Sequence, residues 1–500
     1  SMANSPRDTG RKPASTWDCP MTKPAPSSRS GAHLRYGTEM NFAIKLARLP
    51  LLIPAALVVA CIRLLDICGV TIKLSNFISS RIGHLVGNTE IYLCERDLGM
   101  HKGIHIWTHY GHISNKQIAL MWKRVMLIWP SHFTALVILI NKMFRGWEKH
   151  EIGTDTWDRD PRDVLYRCKP HLKFTPLEIA RAEKTLHDWG LSRGDQWVCL
   201  MVRDAAYLPS LTYHSYRDSD VDTYADAALM LAERGYHVFR MGVKVAKPFA
   251  AKHPRIHDFA TNGMYSDFMG VYLGAYCAFC ISTSCGWDAI PQAFRRPMCY
   301  TNFAPLEYLP TWLPNSLAIW KHHRQDIMVP LKAKLDQGRW GVYDEQGEEM
   351  KQRFVAGDGL VKEKGSIMSV EQIRNSGAGR FMRLDQFEEA GIALVDNTPE
   401  ELTEVVREMA DMVEGKFTPT EQTDFWDVFP RYTELLTGQP LHGVIRVRIG
   451  NKFLREYEDA ERQEDSSGDT GEGRIEAGAD EERNDLQDKR HLQIAGGMGD

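Results

Sequence analysis

Residues 222–242 read DTYADAALMLAERGYHVFRMG. Tyr224, Ala228 and Leu231 fall at helical spacing, and Gly235 supplies the left-handed stop that commonly ends a helix. Tyr236–Met241 (YHVFRM) then has the length and apolar content of a short strand. Outward from this unit the same grammar repeats. Gln196–Val202 (QWVCLMV) precedes it as a strand, and Tyr265–Ala275 (helix), Ala278–Ser282 (AFCIS, strand), Ala289–Phe294 (helix) and Pro297–Thr301 (PMCYT, strand) follow. Ile392–Val395 and Pro399–Met412 give one more strand and helix. Strands and helices alternating through short turns predict an α/β fold, a parallel sheet with helices on its faces.

A second block lies upstream, over about Arg81–Leu191. Ile82–Asn88 (IGHLVGN) is a glycine-containing loop leading into Thr89–Leu93, and Gly103–Thr108 (GIHIWT) reads as a strand. Thr175–Trp189 is a helix with a capping box: Thr175 caps, Pro176 takes the first position, Glu178 reaches back, and Gly190 ends it. Leu191–Asp195 is the expected hinge between two domains. The chain therefore divides into a disordered basic segment (1–40), an apolar segment (41–80), an N-terminal domain (81–192), a C-terminal domain (193–455) and a disordered acidic tail (456–500).

The 500 residues are 43% hydrophobic and 25% charged, ordinary globular values. The net charge of −4 hides an asymmetry: residues 456–500 hold 15 acidic and 5 basic side chains, while the first 50 residues are net positive. The middle is close to neutral, which argues against a nucleic-acid binder. Ten scattered cysteines and the lack of a recognisable secretion signal predict free thiols in the cytoplasm. Leu49–Ile62 (LPLLIPAALVVACI) carries no charge over 14 residues. That is short against the ~20 of a spanning helix, so an interfacial helix on the inner face of the cytoplasmic membrane fits better; a buried core helix is the other reading. Met121–Trp147 sets Lys123, Arg124, Lys142 and Arg145 beside Trp122, Trp129 and Trp147, a mixture suited to anionic lipid, although Ala135–Ile140 reads better as core.

Chemistry concentrates in Ile281–Pro291 (ISTSCGWDAIP). A strand ends in Ser282, Thr283 and Ser284; Gly286 and Trp287 follow, and a helix opens near Asp288. Ligands of open parallel sheets lie beyond the C-terminal strand ends, where hydroxyls and free N–H groups can hold a phosphate or diphosphate. A plain strand-to-helix turn with Ser284 or Asp288 as a cap is the bland alternative. Arg203 follows one strand and Arg240 ends another before Gly242, so both are expected at that edge, where guanidinium groups match a diphosphate. Arg217–Asp222 (RDSDVD) offers Asp-x-Asp pairs, read as helix capping rather than metal binding. Cys277 and Cys280 form a lone C-x-x-C entering an apolar strand, so no metal is expected. His84, in its glycine-flanked loop with Glu90 close behind, is the candidate base, with Asp288 and His214 as further candidates.

RIGHLVGNTEIYL, VCLMVRDAAYL, YRDSDVDTYADAALMLAERGYHVFRMG, YSDFMGVYLGAYCAFCISTSCGWDAIPQAF, IALVDNTPEELTEVVREM and LHGVIRVRIGNKFL occur in that order. Over about residues 75–455 the chain resembles a family of bacterial GT-B-type glycosyltransferases associated with surface-polysaccharide gene clusters. The resemblance implies two Rossmann-like domains with parallel sheets facing across a cleft, the acceptor on the first and a nucleotide-sugar donor on the second. It puts Arg203, Arg240, Gly242 and Ser282–Asp288 at the donor diphosphate. It implies no resident cofactor and no metal, and a glycan or lipid-linked acceptor. A non-catalytic nucleotide- or sugar-binding scaffold at the membrane, and another nucleotide-using transferase, are the alternatives.

Overall fold

A computed structural model describes residues 32–109, 111–152, 159–207, 209–330, 360–363, 365–429 and 441–468. The first described element is α1 (Ala32–Ile67), so residues 32–40, expected to be disordered, are helical. A parallel three-stranded sheet follows in the order β1 (Ile72–Phe77), β2 (Ile104–His109), β3 (Leu127–Trp129). β1 lies inside the stretch assigned to the apolar segment, so the first domain begins before residue 81. Thr89–Leu93 belongs to α2 (Thr89–Asp97), entered through a π-turn over His84–Asn88. α3 (Lys116–Trp122) shares its sheet face with α2, through Leu85, Trp107, Ile118 and Trp122. On the other face α1 and α4 (Ser131–Asn141) bury Ala55, Val59, Ile62, Leu136 and Val137 over Leu74 and Ile106.

α5 (Pro176–Asp188) has the capping box read from the sequence, with Thr175 and Glu178 bonded reciprocally, and Gly190 at φ +89 leaves the helix. The second unit holds β4 (Trp197–Met201), α6 (Ala225–Glu233), β5 (His237–Arg240), β6 (Ile256–His257), α7 (Asp267–Tyr276), β7 (Cys280–Ser282), α8 (Ala289–Ala293), β8 (Met298–Phe303) and β9 (Leu317–Trp320). β10 (His322–Gln325), β11 (Ile327–Pro330), β12 (Leu360–Glu363), β13 (Ile392–Val395) and β14 (Arg448–Ile449) are the remaining strands among the described residues.

The main sheet runs β14-β9-β8-β7-β4-β5-β6, every neighbouring pair parallel. The chain lays strands outward from β4 in one direction, then restarts at β7 and lays them in the other. That reversal defines a topological switch point between β4 and β7, where such sheets bind ligands. The fold class is thus α/β with two parallel sheets. β13 departs from expectation: it pairs antiparallel with β10, outside the main sheet. The helix Asn451–Gly468 extends order into the supposed acidic tail; residues 1–31 and 469–500 lie outside the described residues.

Candidate functional site

The register of β4 against β7 pairs Met201 with Ser282, so Arg203 and Ser284 both stand two residues beyond a paired position, at the switch point. The Arg203 amide donates to Thr283 Oγ1 at 2.9 Å, tying the two loops together. The Arg203 guanidinium donates to the His214 carbonyl at 3.1 Å and pairs with Asp218. Ser284 is half-buried at φ +66, uncommon for a residue with a Cβ. Its hydroxyl is the one of the three not tied down. Ser282 is buried and donates to Asp288 Oδ1 at 2.6 Å, and Thr283 is buried and accepts from Arg203.

Four guanidinium groups gather around His214. Burial, then the charges of Arg217, Arg203, Arg81 and Arg383, push its imidazole down to about 4. It is therefore neutral at physiological pH, beside Tyr213, whose ring Arg383 covers at 5.1 Å. Arg383 is paired with Asp385 at 2.6 Å, and Arg203 with Asp218. Among the described residues Arg217 has no acid within ion-pair distance; its Nε is buried without a hydrogen bond, and its guanidinium lies 5.7 Å from the Tyr216 ring. Arg81 is exposed, again without an ion-pair partner among the described residues, and comes from the other lobe. An unpaired, part-buried guanidinium is costly unless an anion is meant to meet it.

The lobes touch here. A methyl built on Gly83 would sit 3.0 Å from Gly286 Cα, so the π-turn of the first domain rests directly on the hydroxyl turn of the second. His84 lies in that turn, half-buried, its Nδ1 3.2 Å from Asn88 Oδ1. Trp287 is buried against α7, where its ring is 3.0 Å from a methyl built on Gly274. Gly242, at φ +154, allows close passage of Val245 and Ala260.

Three expectations change. Arg240 does not stand in the cleft: its register partner is Leu200, three residues short of Arg203, and its fully buried side chain pairs with Asp258 at 3.1 Å. Glu90 is buried under Arg295 (2.8 Å) and His171 (3.2 Å), a structural ion pair instead of a base. Asp288 is a buried cap, accepting from Ser282 and from the Cys285 amide at 3.0 Å. Burial pushes it up to about 6, partly opposed by those bonds. Arg217, Arg81 and Arg383 were not singled out from the sequence. Arg217 heads RDSDVD, whose carboxylates have local uses: Asp220 caps Asp222 N, and Lys247 bridges Asp220 and Asp222 at 2.6 Å each.

The metal-ligating types that converge are Glu90, Cys94 and His171, within 4.8 Å of one another. Arg295 Nη2 donates to both Glu90 Oε1 and Cys94 Sγ, so a cation already fills that spot. Cys277 and Cys280 are buried free thiols.

Glu307, just past β8, is fully buried with neither oxygen hydrogen-bonded, 3.2 Å from Arg380 Nε. Burial raises its carboxyl to about 7, against the pull of Arg380 and Arg374. Below pH ~4.5 the group is neutral whether folded or not. As pH rises from there to about 7, the unfolded chain ionises first and stability falls. Glu307→Gln is therefore expected to gain on the order of 2 kcal/mol over wild type at pH 8 and little at pH 4.5, read by urea unfolding at both values. An equal difference at the two pH values would count against this.

No protein-family model and no curated protein matches the chain. Among solved structures it is similar to a glycosyl transferase family 9 protein from Veillonella parvula, at 9% identity and a TM-score of 0.35, over 56% of this chain and 92% of that one. It is also similar to Escherichia coli ADP-heptose LPS heptosyltransferase II, at 14% identity and TM-score 0.34, over 50% and 90%. A third is the iron-containing dodecameric glycosyltransferase TibC of enterotoxigenic E. coli, at 13% and 0.26, over 47% and 60%.

Proposed function

We propose that the protein is a glycosyltransferase that takes a sugar from a nucleotide-diphosphate donor and passes it to a glycan or lipid-linked acceptor. The observation that carries this is the unpaired guanidinium of Arg217, set with Arg203, Arg81 and the Ser284 hydroxyl beyond the β4/β7 switch point. In glycosyl transfer the diphosphate leaves with the bonding electrons, so charge develops on its oxygens. Preorganised cations there stabilise the transition state more than the ground state. Arg217 would meet the diphosphate directly, Arg203 from its place beside the hydroxyl turn, and Arg81 from the acceptor lobe once the cleft is filled. His214, neutral in the free protein, gains proton affinity when a dianion arrives among the arginines. That suits it to accept the acceptor hydroxyl proton, with His84 the second base candidate. No metal is needed in this reading. Calorimetric screening of ADP-, UDP-, GDP-, dTDP- and CMP-sugars tests it; binding of none would remove it.

An acceptor on a lipid carrier calls for a membrane-facing surface, and we place the protein peripherally on the inner face of the cytoplasmic membrane. Pro50–Ile67 within α1 has a mean hydropathy of 2.1 and is only 17% buried, long and apolar enough by composition to cross a membrane. Ile53, Leu57, Leu64 and Ile67 face out, continued by Leu139, Met143 and Phe144 of α4 and its following turn. Arg63 lies over Phe144, and Lys142 over Trp147 at 4.6 Å, so cations and aromatic rings rim the patch. Such a face fits an anionic bilayer surface. Leu57→Gln with Leu64→Gln is expected to cut flotation with phosphatidylglycerol vesicles at least tenfold; unchanged flotation would exclude this face as the contact.

A further inference from the structure

We propose a second anion site, remote from the cleft: a cavity of about 630 Å3 that binds the phosphoryl group of a phosphorylated ligand. It lies between the ends of α2 and α3 and the strap 167–175 that leads into α5. α2 and α3 run down from the cleft-facing edge of the first sheet, and their last turns precede β2 and β3. The cavity therefore sits at the N-terminal edge of that sheet, the edge opposite the β1–β3 loops that face the second lobe.

Its charge is unbalanced. Asp97 is the acid of the lining, and it is taken by His171 Nε2 at 2.9 Å and Arg96 at 3.2 Å. Arg124 is held bidentate by Glu178, at 2.8 and 2.6 Å. Three lining cations remain, Arg167, Lys169 and Lys173, exposed and without an acidic partner among the described residues. They come from seven residues of one strap and line the same opening. α2 and α3 end at the cavity while α5 begins beside it, so the helix dipoles leave a small net partial negative charge that the full charges of the strap outweigh. The walls behind the cations are apolar, with Met121, Val125 and Phe174.

A planar guanidinium and two ammonium groups over an apolar floor suit a phosphomonoester or diphosphate joined to a less polar body. The volume falls within the usual range for small-molecule sites. The ligand can be a soluble phosphate compound or a lipid headgroup; the recognition chemistry is the same. Nothing in this site depends on the glycosyltransferase reading.

The test is calorimetry with inorganic pyrophosphate on wild type, Lys169→Ala/Lys173→Ala and Arg217→Ala, with sedimentation against phosphatidylcholine vesicles with and without phosphatidic acid. Both lysines are exposed, and an unchanged melting temperature confirms folding of the double variant. The double variant is expected to lose one pyrophosphate site, or bind it at least tenfold more weakly, while Arg217→Ala retains that site. Loss of phosphatidic acid-dependent sedimentation in the same variant identifies a lipid headgroup; loss of pyrophosphate binding alone identifies a soluble ligand. If the double variant matches wild type with both probes, or neither probe binds wild type, the proposal is overturned. Loss confined to Arg217→Ala would overturn it too, while leaving the cleft reading intact.

Discussion

Arg217→Ala is expected to weaken nucleotide-sugar binding by roughly 10- to 150-fold and to lower turnover further. The binding estimate follows from the size of a hydrogen bond to a charged group, about 1.5–3 kcal/mol, at about 1.4 kcal/mol per decade. Turnover should fall beyond this because the same guanidinium meets charge that grows as the diphosphate departs. Folding should be spared: Arg217 has no ion-pair partner among the described residues, and its buried Nε is unsatisfied, so truncation removes a liability as well as a contact. A second readout is independent of turnover. Arg217 is the foremost charge holding His214 down, so the His214 imidazole should titrate above its value of about 4 in the variant, visible by NMR. Donor binding unchanged by the substitution would take Arg217 out of the site, and unchanged His214 titration would deny their proximity.

The largest effect on stability is expected at Arg295→Met. Arg295 donates to Leu165 O at 2.6 Å, Ala293 O at 2.6 Å and Glu90 Oε1 at 2.8 Å, joining the first lobe, the connecting strap and the end of α8. Glu90 is 1% exposed, so losing its guanidinium leaves a carboxylate in the interior with His171 alone. Breaking a buried pair from one side costs about 3–5 kcal/mol. Against a total of about 5–15 kcal/mol, this should lower the melting temperature by on the order of 10 °C. Adding Glu90→Gln should recover much of the loss, because the stranded charge goes with it. A single variant that melts with wild type would show that Arg295 carries no such burden. His171, raised by Glu90 and Asp97 against the opposing effect of its burial, is the other cation paired with Glu90 among the described residues.

The α/β alternation was legible because it is local. Tyr224, Ala228 and Leu231 bury one helix face, and the apolar runs QWVCLMV and YHVFRM became adjacent strands of the main sheet. The Thr175 capping box is equally local and formed as read. Arg240 was misplaced because register is not local. Three residues further along would have put it level with Arg203, and only pairing with β4 decides that. Glu90 looked available because its partner lies 205 positions away at Arg295. Arg217 was hidden by the three aspartates that follow it, and Arg81 joins the cluster only because the lobes come together. β13 carries a good strand pattern, yet periodicity cannot say which sheet a strand will join.

Where Gly83 meets Gly286 the lobes bear on one another through naked main chain. Ile82 is the side chain nearest that point, and Arg295 fastens the same lobes together further along through Leu165 and Glu90. Main chain against main chain leaves no room for a Cβ on either side of the contact. A single methyl at either glycine would act as a wedge, holding the jaws ajar.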